Sequence, residues 1–137
     1  MIDTKNSVAR LLELGFQKVG QWQLVGGKPS FRLTSYVRES NILYAFVSNG
    51  IVRYIGKSMQ TLEQRMNGYK NPGPTQRTNI RNHAKIFDLL KAGEQIEILA
   101  FCPSEPLFFK GYRVNLAAGL EDTLIEELSP EWNVLAR

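Results

Sequence analysis

Two short runs, Ile42–Val47 and Ile51–Gly56, are apolar, β-branched and aromatic almost throughout, and only Ser48-Asn49-Gly50 separates them. Asn-Gly between such runs is a strong hairpin signal, because both residues tolerate the positive φ that a tight turn demands. Strands without polar alternation are covered on both faces, so the rest of the chain must layer around this hairpin. The pattern leaves its register open. A two-residue Asn-Gly loop pairs Tyr44 with Ile55 and sets Tyr54 on the opposite face, whereas a three-residue loop with Gly50 left-handed pairs Tyr44 with Tyr54 and sets both phenols on one face.

Other elements follow from local signals. Ser7–Leu14 places Val8, Leu11 and Leu12 at helical spacing, with Gly15 as a stop. Phe16–Val25 and Phe31–Val37 alternate loosely around Gly26-Gly27-Lys28-Pro29, which reads as a second hairpin. Thr61-x-x-Gln64 is a capping box opening a helix with the stripe Leu62, Met66 and Tyr69; Arg65 then lies one turn before Tyr69 unless Gly68 ends the helix first. After the Asn71-Pro72-Gly73-Pro74 loop, a helix from Thr78 to Gly93 carries Ile80, Ala84, Phe87 and Leu90. His83 shares that stripe, where a packed or hydrogen-bonded histidine is the ordinary use. Gln95–Phe101 reads as a half-buried strand and Pro103–Tyr112, with Phe108-Phe109-Lys110, as a loop. In the helix Asn115–Leu128, Glu121 falls inside the apolar arc of Leu116, Leu120, Leu124, Ile125 and Leu128. A carboxylate there is costly unless an Arg or Lys pairs with it or it binds a cation.

The 137 residues predict one domain, and 43% apolar against 22% charged residues excludes intrinsic disorder. One cysteine, Cys102, and one histidine exclude a disulfide and a closed Cys/His zinc site, so any metal must be oxygen-bound. No run approaches the ~18 apolar residues of a membrane span, and Asp3 stands where a signal peptide would be basic; the expectation is a cytoplasmic protein with no membrane partner. Charge is segregated. Residues 50–91 hold eight bases and two acids, whereas residues 92–137 sum to −5, which makes the middle third the candidate polyanion-facing surface. Gly56-Lys57-Ser58 is not a phosphate-binding loop: the motif needs a glycine five positions before Gly56, where Ile51 stands.

What remains is an ordered set. Ile42-Leu43-Tyr44 and Tyr54-Ile55-Gly56 place a tyrosine on each hairpin arm; Lys57, a helical Arg65, a helical Glu121 and Pro130-Glu131-Trp132-Asn133 follow. From Asn41 to Asn133 this order resembles the GIY-YIG nuclease family, in particular its small stand-alone phage and restriction-type members. The second half of the hairpin motif matches literally, while the first reads ILY in place of GIY. The resemblance implies an α+β fold, a three-stranded antiparallel sheet flanked by helices over residues 41–137. To this, residues 1–40 add an N-terminal extension of a helix plus a β-hairpin, the whole 1–137 forming one domain. It also favours the register with both phenols on one face.

The resemblance further implies a metal-dependent DNA endonuclease that hydrolyses phosphodiesters with an activated water, leaving 5′-phosphate and 3′-hydroxyl ends. The alternative, from a different class, is a nucleic-acid-binding module that keeps the fold without cutting. In the nuclease reading Glu121 is the metal ligand for Mg2+ or Mn2+, and one carboxylate plus waters suits a hydrated magnesium ion. Arg65 holds the scissile phosphate. Tyr44 is the candidate base; at neutral pH only about one free phenol in a thousand is ionised, so nearby positive charge from Lys57, Arg65 and the ion must help. Tyr54 or Tyr69 orients the water, and Asn133 supports the site by hydrogen bonding. The stretch from Lys70 to Lys85, with Gln76, Arg77, Asn79, Arg81 and His83, is the candidate groove for double- or single-stranded DNA. Assembly into a homo-oligomer, such as a restriction-like dimer, fits the same reading.

Overall fold

The computed structural model describes residues 8–104 and 106–134, so Asp3 and the expected helix start at Ser7 lie outside the described residues. Helix α1 (Val8–Leu14) ends at Gly15, whose φ of 115° stops it as expected. Strands β1 (Gln17–Val25) and β2 (Lys28–Leu33) meet at Gly26-Gly27, with φ of 59° and 76°. Two left-handed glycines close the loop in two residues, so Lys28 and Pro29, expected in the turn, already pair with Val25 and Leu24.

The central hairpin takes neither of the two simple registers. Between β3 (Ile42–Ser48) and β4 (Ile51–Ser58), Asn49 and Gly50 form a two-residue turn, φ 58° and 73°, which pairs Ser48 with Ile51 and Val47 with Val52. A bulge at Arg53 then inserts one residue, and beyond it Phe46 pairs with Tyr54 and Tyr44 with Gly56. Because side chains alternate with period two, that insertion brings Tyr54 back to the face of Tyr44. The bulge, not the turn, sets both phenols on one side.

Strand β5 (Ile96–Phe101) pairs with both β1 and β3, giving the order β2-β1-β5-β3-β4 with every pairing antiparallel. The three strands expected from residues 41–137 are therefore joined by the N-terminal hairpin into one five-stranded sheet. All seven residues of β3 are buried. On one face Tyr44, Phe46 and Tyr54 pack with Leu62, Met66 and Tyr69 of helix α2 (Leu62–Lys70) and Ile86 of α3 (Arg77–Lys91). On the other, Leu43, Ala45 and Ile55 pack with Leu11 and with Leu124 and Leu128 of α4 (Leu116–Leu128). The capping box at Thr61 is formed in full, and α2 runs past Gly68 to Lys70.

Helix α3 is rotated by about one residue, roughly 100°, from the expected stripe. Ile80 and Ala84 are exposed, and the buried positions are Asn79, Asn82 and Ile86. The cause is local to the α2 contact: Asn79 finds polar partners in Arg65 and Gln76, so an amide takes the position that an apolar-pattern reading gives to Ile80. The expected loop at Pro103–Tyr112 contains a small ribbon, β6 (Leu107–Phe109) paired with β7 (Tyr112–Val114). Among the described residues no helix is long and apolar enough to cross a membrane.

Strand β4 lies at the sheet edge, where unpaired backbone groups need cover. The short helix α5 (Glu131–Val134) brings Asn133 to it: Ile55 N donates to Asn133 Oδ1 at 2.8 Å, and Asn133 Nδ2 donates to Ile55 O at 2.8 Å. One side-chain amide thus replaces a strand neighbour. Asn133→Ala orphans both groups of Ile55 and should cost about 1–3 kcal/mol in urea unfolding, whereas Glu131→Ala, which removes a 3.6 Å ion pair between an exposed carboxylate and the half-buried Arg53, should cost less, about 1 kcal/mol at most. Equal losses would refute this role for Asn133.

Candidate active site

Arg65 lies in the first turn and a half of α2, the helix that the Thr61 cap starts, and three of its nitrogens are fixed by neighbours. Nε donates to Tyr44 Oη at 3.1 Å, Nη2 to Tyr69 Oη at 2.7 Å and Nη1 to Asn79 Oδ1 at 3.0 Å. The guanidinium carbon also sits 4.2 Å from the Tyr69 ring centroid. A guanidinium has five N–H donors. These bonds use three, leaving one hydrogen on each terminal nitrogen for an outside acceptor. Burial works against the Arg65 charge, but Tyr44 and Tyr69 more than offset it, so its pKa is raised.

Tyr44 reaches this point because it crosses the backbone of Gly56. A Cβ at position 56 would stand 2.4 Å from Tyr44 Oη and 2.5 Å from Cζ, so only glycine admits the ring. Tyr44 Oη and Tyr69 Oη are 2.5 Å apart and hydrogen-bonded, and the Tyr54 ring lies 6.3 Å from both rings. One phenol donates to the other in this bond, and both side chains are fully buried. Burial, first of all, drives the Tyr44 pKa well above its ordinary value of 10; Tyr54 raises it further and Arg65 lowers it. Tyr69 is raised for the same leading reason. Both are neutral phenols at physiological pH. Lys57, expected to help ionise Tyr44, belongs to the other side of the sheet: strand alternation turns it away from Gly56 and toward α4.

There Lys57 meets Glu121. The carboxylate is half-buried on α4, and burial raises its pKa; Lys57 opposes this by its charge and by a backbone hydrogen bond, Asp122 adds to it, and Arg65 opposes it from further off. The positive neighbours do not cancel the cost of burial. Among the described residues no three His, Cys, Asp or Glu side chains cluster as a metal cage. The donor set around Glu121, one partly desolvated carboxylate open to water, fits a hard cation that keeps most of its hydration shell and does not fit zinc.

The groove residues separate into two groups. Asn79 is buried, with Oδ1 on Arg65 and Nδ2 on Gln76 Oε1 at 3.0 Å; Gln76 Oε1 also accepts from Gly73 N at 2.9 Å. Asn79 looks inward, and the exposed Gln76 ties the 71–76 loop to it and so to Arg65. His83 is half-buried, its Nδ1 2.8 Å from Tyr69 O. Arg77, Arg81 and Lys85 recur every four residues along α3 as a ridge, Arg77 being exposed and the others half-buried. Lys70 opens on a cleft of ≈ 350 Å³ with His83, Pro72 and Lys28. Lys28 escaped the sequence reading because its place beside α2 depends on β2 joining the sheet; its only local mark was a basic residue in a turn.

The architecture recurs in solved structures. A point mutant of bacteriophage T4 EndoII superposes with a TM-score of 0.72 at 22% identity, over 93% of this chain and 98% of that one. The restriction endonuclease HPY188I in complex with product DNA superposes with a TM-score of 0.57 at 18% identity, over 88% and 78%. The chain has the fold of these nucleases. Residues 41–137 alone would span only about seven-tenths of the chain, so the shared fold takes in most of the N-terminal hairpin as well. No protein-family model matches the sequence, and no curated protein matches it.

Two outcomes follow from the electrostatics. A phenol whose folded pKa is raised stabilises the fold fully below its unfolded value, near 10, and loses that contribution as pH climbs through the folded value. Ultraviolet titration of the five tyrosines should therefore show Tyr44 and Tyr69 ionising only with alkaline unfolding, and ionisation of all five before unfolding would contradict the packing. Glu121, also raised, is harder to ionise folded than unfolded, so its charge opposes folding at neutral pH. Glu121→Gln should unfold at higher urea than wild type at pH 7; a lower midpoint would mean that Lys57 overcompensates.

Proposed function

We propose that the chain is a metal-dependent DNA endonuclease of the GIY-YIG type, folded as one domain over residues 1–137. The observation that carries this reading is the guanidinium of Arg65, locked by Tyr44, Tyr69 and Asn79 before any substrate arrives, with two donors left to bind a phosphate. Preorganised donors of this kind act on charge that develops in the transition state, because no reorganisation is needed when it appears. The two nuclease folds support the class of reaction, and the ridge Arg77–Arg81–Lys85 with Lys70 supplies cations for a nucleic-acid backbone.

Arg65 binds the non-bridging oxygens of the scissile phosphate. Asn79 is a positioning residue that holds Nη1, and Gln76 passes that constraint to the loop at Gly73. Glu121 holds the cation, Mg2+ or Mn2+, which when bound polarises the phosphate and supplies an acidified water. Lys57 keeps the Glu121 carboxylate ionised and aimed. Tyr44 and Tyr69, joined by one hydrogen bond, hold the Arg65 guanidinium by their oxygens, and Tyr54 orients the attacking water; as the new P–O bond forms and the P–O3′ bond breaks, the proton of the water ends on the departing 3′-oxygen. A lone Tyr44 phenolate is not formed at neutral pH, since burial outweighs the Arg65 charge. Asn133 holds the β4 edge that carries Tyr54 and Gly56.

Supercoiled plasmid in magnesium separates this reading from a module that binds without cutting. Wild type should nick it, leaving 5′-phosphate ends. Glu121→Ala should lose cutting while still retarding the plasmid, and Arg65→Ala should lose on the order of 10² to 10³ in rate. Equal residual cutting by wild type and Glu121→Ala would overturn the metal assignment, and a loss below about tenfold for Arg65→Ala would overturn its role.

A further inference from the structure

The ribbon of β6 and β7 puts its apolar side chains in water. Phe109 pairs across it with Tyr112 and Leu107 with Val114, so these four share a face, while Phe108 and Arg113 take the other. Phe109 is 65% exposed and Tyr112 79%, and both flank the turn, where Lys110 and Gly111 adopt φ of 50° and 85°. Lys110 Nζ lies 5.5 Å from the Phe109 ring centroid. Two aromatic rings at the tip of a narrow ribbon contribute no core and need a partner to leave water.

Charge and position select that partner. Leu107–Asn115 carries Lys110 and Arg113 and no acid. A two-fold contact with a second copy would set these like charges against each other, whereas a polyanion is complementary to them. The base of the ribbon borders the candidate active site. Leu107, Val114 and Arg113 line a cleft of ≈ 360 Å³ with Met59, two residues beyond Lys57. Asn115 ends the ribbon and caps α4, its Oδ1 accepting from Ala118 N at 3.2 Å, so the ribbon runs straight into the helix that bears Glu121.

We propose that this ribbon is a wedge for duplex DNA: Phe109 and Tyr112 stack on bases that open next to the phosphate to be cut, and Lys110 and Arg113 neutralise the flanking phosphates. The proposal rests on the nuclease reading for its substrate. Apolar and aromatic side chains inserted at a base step unstack it and kink the duplex, and a base stacked on an aromatic ring repays part of the opening. The same act would bring the backbone toward Glu121 and Arg65.

The test uses short duplexes with aminopurine placed at successive positions, bound in EDTA so that nothing is cut. Wild type should raise the fluorescence at one or two adjacent positions. The double variant Phe109→Ser/Tyr112→Ser, altered only at exposed positions, should abolish that rise and bind roughly five- to a hundredfold more weakly, with unchanged thermal unfolding. Lys110→Gln/Arg113→Gln should bind with a shallower salt dependence, by about one to two units of slope. Unchanged affinity and fluorescence in the aromatic variant would overturn the wedge. So would an aromatic variant that binds DNA like wild type but sediments as a smaller species, which would make the ribbon a contact between copies. Opening without cutting in magnesium overturns the nuclease reading alone; cutting without opening overturns the wedge alone.

Discussion

The crossing of the Tyr44 ring over the backbone of Gly56 is the contact from which the rest of the site is built. With no side chain on Gly56, a phenol from β3 crosses its neighbouring strand and still reaches Arg65 and Tyr69. The bulge at Arg53 makes the crossing geometrically available, since without that inserted residue Tyr44 would face an isoleucine and Tyr54 would look toward α4. Helix α2 then needs only one turn to place Arg65 and Tyr69 on the same ring cluster. Packing and polarity meet at one spot: the phenol rings belong to the core, and their oxygens fix the guanidinium.

The site is assembled around the edge of a sheet, not within a pocket. Tyr44, Tyr54, Arg65 and Tyr69 come from one face, Lys57 and Glu121 from the other, and β4 is the strand they share. An edge strand is the least constrained part of a sheet, and here a side-chain amide from α5 supplies the missing ladder partner. The arrangement leaves open backbone near the site while denying another strand the chance to pair with it.

Electrostatics divides the two halves of the site. On the phenol side, burial keeps Tyr44 and Tyr69 neutral and leaves Arg65 as the charge. On the acid side, burial and Asp122 hold the Glu121 carboxylate in a state that Lys57 only partly relieves. A partly desolvated anion beside cations that do not satisfy it is an arrangement that stability alone would not select. The buried Asn79 and the exposed Gln76 extend the constraint on Arg65 into the loop that leads into α3.

Much of this was legible in consecutive residues. The Asn-Gly turn, the capping box at Thr61, the stripe Leu62-Met66-Tyr69 and the intrusion of Glu121 into an apolar arc are short-range signals, and each element formed close to where they place it. The order of Tyr44, Tyr54, Lys57, Arg65, Glu121 and Asn133 marked the residues that the proposed site takes up. Packing decided what local pattern could not. The inserted residue at Arg53 chose the face of Tyr54, polar partners rotated α3, and pairing through β5 turned an N-terminal extension into two strands of the sheet. These outcomes depend on contacts between residues far apart in the chain, such as Ile55 with Asn133 and Lys57 with Glu121. Their energies exist only once the layers have met, so no window of sequence contains them.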